Sequence, residues 1–123
     1  MKSSHLFLFL SLVLFLATVI PASVAAQADF PRLTAVNPDT GKIGDELTVE
    51  GKNLSRQHVK ELYLTDGQHD WKTEIVEQTD TAIKFKIPPD AKAGRFDLMV
   101  LTTGKNPSLI EQPVKVTVAG NGS

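Results

Sequence analysis

The chain of 123 residues contains no cysteine, one tryptophan, one tyrosine and three histidines. Without cysteine there are no disulfides, no thiolate metal ligands and no cysteine nucleophile. Charge of one sign is missing too: 13 Lys and Arg stand against 14 Asp and Glu. The two signs are interspersed, with Lys52, Arg56 and Lys60 followed by Glu61 and Asp66. No basic face is left to neutralise phosphates, so no nucleic-acid partner is expected. After residue 28 there is no long apolar run, and no membrane span is expected in the folded part. A convincing helical period is absent as well.

Catalytic arrangements are equally scarce. Ser55 and Ser108 fall in expected loops without a Gly-x-Ser-x-Gly setting or a nearby His-and-acid pair. Gly41 and Gly44 are followed by neither a helix nor the lysine a phosphate loop requires. His69 and Asp70 are adjacent, and neighbours on an extended segment point to opposite faces, so they do not converge on a metal. The turn Asp66-Gly67-Gln68-His69-Asp70 offers two carboxylates but lacks the regular ligand spacing and closing Glu of a calcium loop. The reading is therefore not an enzyme, with no catalytic residue, metal or cofactor. Asn53-Leu54-Ser55 and Asn121-Gly122-Ser123 match the glycosylation pattern, which carries weight only in a eukaryotic host.

What is present begins with a leader. Lys2 precedes an apolar stretch from Leu6 to Ile20, broken only by Ser11 and Thr18, and Pro21 ends it. Small residues follow, and cuts after Ala28 or after Ala26 both satisfy the rule of small residues at −3 and −1. At about 1.5 Å rise per residue the apolar stretch falls short of a ~30 Å hydrocarbon core. Residues 1–28 read as a cleaved secretory signal peptide, and the protein as exported, periplasmic or secreted. The remaining 95 residues suffice for one domain and carry 12 basic and 14 acidic side chains, a net charge of −2. A small exported domain without disulfides suits a bacterial envelope.

The exported part is a succession of short runs with period-2 alternation, each bounded by Gly, Pro, Asn or Asp. The runs are Leu33–Val36, Leu47–Val49, Val59–Leu64, Trp71–Val76, Ile83–Ile87, Phe96–Leu101 and Val114–Val118. That pattern predicts an all-β, immunoglobulin-like sandwich of about seven strands over residues 29–118, with a short flexible tail over 119–123. Register follows from burial. Pairing Leu64 with Trp71 and Leu62 with Thr73 keeps Trp71, Thr73 and Ile75 on the core side and turns Tyr63 outward. A slip of one residue would put Tyr63 and Trp71 on one outer face, but would turn Glu74 inward, which the burial cost of a charge opposes.

Several segments carry a family resemblance. They are Pro31-x-Leu33 and Asn37-Pro38, then Gly41-x-x-Gly44 and Leu47-Thr48-Val49-x-Gly51-x-Asn53-Leu54. Val59, Leu62-Tyr63-Leu64, Thr79-Asp80-Thr81-Ala82-Ile83, Ile87-Pro88 and Gly94 follow in order. In this the chain resembles the IPT/TIG family, the immunoglobulin-like domains of plexins and transcription factors, from about Pro31 to Val118. The turn after the third strand departs from the pattern, with Gly67 its one glycine. The resemblance implies a sandwich without catalytic apparatus, used as a spacer or binding module, here as a single copy.

Function then rests on surface. Tyr63 is expected to face outward, as are Met99 and Leu101 on the strand after Gly94, and these three form the candidate binding residues. The expected partner is a protein of the cell envelope or outside, met through an outer sheet face or an edge strand. The alternative is a small carbohydrate-binding domain that stacks a glycan on Trp71 and Tyr63.

Overall fold

Most of the alternating runs become strands with one buried side. The computed structural model describes residues 30–120 and contains nine strands. They are β1 Arg32–Asn37, β2 Thr40–Gly41, β3 Glu46–Lys52, β4 Val59–Thr65, β5 Asp70–Lys72, β6 Glu74–Gln78, β7 Ala82–Lys86, β8 Gly94–Thr102 and β9 Leu109–Val118. The leader with its two cleavage points, and residues 121–123 of the tail, lie outside the described residues.

The strands form two sheets, ordered β1-β3-β7-β6 and β2-β9-β8-β4-β5. Their inner faces meet as a β-sandwich of the immunoglobulin-like kind. Leu47 and Val49 of β3, Ile83 and Phe85 of β7, Leu62 and Leu64 of β4, and Phe96, Leu98 and Val100 of β8 fill the core. Alternation along each strand leaves the intervening side chains outside, so a core residue also fixes what its neighbours present to solvent.

Leu64 pairs with Trp71, the expected register, and Thr65 with Asp70 closes the hairpin. Trp71 is half-buried and packs edge-on against Phe96, with ring centroids 5.2 Å apart and an interplanar angle of 80°.

Three features differ from the expected seven strands. The run from Trp71 to Val76 is two strands, β5 and β6, which belong to different sheets. The break is Thr73, which is buried and donates both its N–H and its hydroxyl to the Leu62 carbonyl, at 3.0 and 2.9 Å. Short β2 is added, running parallel to β9, and the Asn37–Pro38 peptide between β1 and β2 is cis. The last strand begins at Leu109, because a bulge around Gln112–Val114 resets its register against β8.

Two glycines of the Gly-rich opening have separate roles. Gly44 takes φ +87° in the turn before β3 and donates its N–H to the Ile87 carbonyl at 3.0 Å. Gly51 permits close approach, since a Cβ there would stand 1.9 Å from the carbonyl oxygen of Arg32.

Candidate functional site

The two outer faces of the sandwich differ in chemistry. On the β1-β3-β7-β6 sheet, Glu46 and Glu74 both lie opposite Lys86, Thr48 opposite Lys84, and Glu77 opposite Lys84. Lys84–Glu77 and Lys86–Glu74 are ion pairs at 3.8 Å each. This face is polar throughout its centre, as a solvated sheet surface should be.

On the other sheet the strand registers bring Lys72, Tyr63, Met99 and Glu111 into one row across four strands. In the next row Leu101 lies between Glu61 and Leu109. The three candidate residues Tyr63, Met99 and Leu101 therefore share one outer face, and each is half-buried. Leu109, 51% exposed, extends the apolar surface beyond them. Its place escapes the sequence pattern because the run from Leu109 to Pro113 lies ahead of the bulge, and only its pairing with Leu101 puts it on this face.

A charged rim surrounds the apolar centre. Glu61 accepts a hydrogen bond from the Tyr63 hydroxyl at 2.5 Å and pairs with Lys72, also at 2.5 Å. Bonding to Lys72, then to Tyr63, holds the Glu61 carboxyl below the usual carboxylate range. The same bond to Glu61, helped by burial, pushes the Tyr63 phenol up to about 12, so at neutral pH Tyr63 is a neutral donor. Further along, Asp97 is held low by its hydrogen bond to Lys115, and Glu111 is pushed up by its hydrogen bond to Asp97. The centre offers apolar contact and the rim offers charges of both signs, as protein interfaces commonly do.

Edge strands offer less. β5 has three residues and β2 has two. β6 is bulged between Ile75 and Glu77 and carries Glu74 and Glu77. β9 has Pro113, which lacks an N–H, inside its bulge. β1 is bulged between Leu33 and Ala35. Short length, charge, proline and bulges are the devices that discourage strand addition.

Tyr63 and Trp71 lie on opposite faces of their sheet, so they do not form a shared stacking platform. In the turn after β4, Asp66 Oδ1 accepts the N–H groups of Gln68 and His69 at 2.9 and 2.7 Å. These backbone bonds hold the Asp66 carboxyl below its ordinary range, and its other oxygen faces Lys92 at 3.7 Å. The carboxylate thus closes its own turn.

No curated protein matches the chain. Solved structures similar in fold include a candidate phosphatase from Bacteroides thetaiotaomicron, with 17% identity and a TM-score of 0.49 over 75% of this chain. A DUF4784 family protein from Bacteroides caccae shows 16% identity and a TM-score of 0.48 over 72%. The Bacteroides ovatus mixed-linkage glucan utilization locus protein SGBP-B, solved with a mixed-linkage heptasaccharide, shows 19% identity and a TM-score of 0.48 over 76%. The chain spans 18%, 24% and 24% of those three proteins respectively. The IPT/TIG domain model matches residues 31–122, which takes in all nine strands, and the chain belongs to the IPT/TIG family.

Proposed function

We propose that this protein is an exported, non-catalytic interaction module that docks to a protein of the cell envelope or outside it. The docking surface is the outer face of the β2-β9-β8-β4-β5 sheet, with Tyr63, Met99 and Leu101 at its centre and Leu109 beside them. The observation that carries this reading is the contrast between the centres of the two outer faces: one carries Thr48, Lys84 and Lys86 with ion pairs to Glu77 and Glu74, the other sets Tyr63 beside Met99 and Leu101 beside Leu109, with its ion pairs Lys72–Glu61 and Lys115–Asp97 around them. An apolar centre inside a rim of mixed charge suits a partner that presents an apolar or aromatic anchor with a mixed-charge surround.

Two further points support the reading. The leader pattern of residues 1–28 favours export. The groove that contains His58 and Ser108 brings no carboxylate to them, which favours a binding role over hydrolysis.

The test is a partner identified from an envelope extract, purified, and titrated against variants of the full chain. Met99→Glu and Leu101→Glu should each weaken binding by about tenfold or more, because a charge is forced into an apolar contact. Thr48→Glu, on the opposite face, should leave affinity unchanged. Equal loss at Thr48, or full affinity in both Met99 and Leu101 variants, contradicts the proposal.

A further inference from the structure

A groove of about 780 Å³ opens where β1 and β9 pass at the edge of the sandwich, lined by Phe30, Arg32, Lys52, Ile110, Gln112 and Pro113 among others. Three observations distinguish it from a chance crevice. Arg32 and Lys52 are directly opposite on β1 and β3, a like-charge pair that a sheet disfavours. Among the described residues neither is paired with a carboxylate. Gln112 is only 6% exposed, and its Oε1 accepts the Leu33 N–H at 2.8 Å. That bond fixes the amide orientation. Among the described residues the Nε2 group has no hydrogen-bond partner, yet none of their side-chain polar atoms is both buried and unsatisfied. Nε2 therefore keeps some contact with solvent, and Gln112 is one of the residues that line the groove.

The groove thus presents two unpaired cations, one held and unused N–H donor group, and an aromatic ring 61% exposed at Phe30 beside Ile110 and Pro113. The geometry points to a binding site for an acidic carbohydrate, a uronate-bearing glycan, separate from the outer-face docking surface. Arg32 and Lys52 take the sugar carboxylate, Gln112 Nε2 donates to a ring hydroxyl, and Phe30 covers the apolar face of the ring. Glu111 also lines the groove, exposed, and its neighbour Asp97 holds its carboxyl above the ordinary carboxylate range. An acidic peptide is the poorer fit. Peptides at a sheet edge bind through a ladder of free backbone groups. Here the Leu33 N–H is already taken by Gln112, and Pro113 has none to give.

The test is calorimetric titration of the full chain with hexagalacturonate, cellohexaose and hexaglutamate. Hexagalacturonate should bind, and Arg32→Gln, Lys52→Gln and Gln112→Glu should each weaken it by about tenfold or more, since each removes a charge-assisted or amide donor. Gln112→Glu retains an oxygen for the Leu33 N–H, and an unchanged melting temperature shows that the fold is intact. Leu101→Glu should leave hexagalacturonate binding unchanged, which keeps this site's fate separate from that of the outer face. The proposal is overturned by absence of hexagalacturonate binding, by equal binding of cellohexaose or hexaglutamate, or by full affinity in folded Arg32 and Lys52 variants.

Discussion

Asp97 on β8 lies opposite Lys115, and Glu111 on β9 lies opposite Met99, so the two carboxyls are diagonal neighbours across the bulge, and bonding between them is what moves Glu111. The bond raises Glu111 above its ordinary value, so the folded state holds that proton more tightly than the unfolded chain does. Its contribution to stability is present in acid and lost as pH rises through the raised value. Glu111→Gln keeps a donor to Asp97 and removes the second negative charge. The variant should melt higher than wild type at pH 7, and the gap should close as pH falls into the carboxylate range. A variant that melts lower at pH 7, or a gap that does not change with pH, contradicts this account. Glu61, Asp66 and Asp97 have the opposite sign. Each is held below its ordinary value, so the stability they contribute is present at neutral pH and is lost as acid passes through the lowered values. Thermal melts of wild type should therefore hold steady from pH 7 to about 5 and fall below about pH 4. A melting temperature that rises through that lower range would show that the three carboxylates do not act as described.

Strand by strand, the structure depends on a few close approaches. Gly51 is the tightest, with the Arg32 carbonyl where a side chain would begin. Gly51→Ala should separate β1 from β3 and cost about 1–3 kcal/mol, the usual range for overpacking a filled site. Urea unfolding followed by Trp71 emission reads this directly, and an unchanged midpoint contradicts it. The sequence made the long central strands legible, because in β3, β7 and β8 an unbroken period of two coincides with burial on one side. It also made Tyr63 of β4, and Met99 and Leu101 of β8, legible as outward residues. Three elements were hidden for particular reasons. β2 is too short to show a period. The change of sheet at Thr73 depends on the distant Leu62 carbonyl, not on any local breaker. The bulge at Pro113 shifts parity inside β9, so its first half does not continue the pattern of Val114, Val116 and Val118. The groove was invisible in sequence because Arg32, Lys52 and Gln112 come from three strands and meet only through the fold.

As a whole the domain has two proposed binding surfaces, and they differ in physics. The outer face of the five-stranded sheet is apolar at its centre, whereas the groove at the β1 and β9 edge holds Arg32 and Lys52, which have no carboxylate partner among the described residues. Salt separates them. Raising sodium chloride from about 50 to about 500 mM should change affinity for the protein partner by less than about threefold, since desolvated apolar contacts are little screened. The same change should weaken hexagalacturonate binding by about tenfold or more. Equal sensitivity at both surfaces contradicts the division. The central claim, docking through one outer face, is tested most directly by photo-cross-linking in the producing cells. A photoreactive residue is placed at Met99, Leu101, Thr48 or Lys84 of the full chain. The account predicts adducts to the same protein from positions 99 and 101 and none from 48 and 84. Adducts from 48 and 84, with none from 99 and 101, would move the interface to the charged face and contradict it.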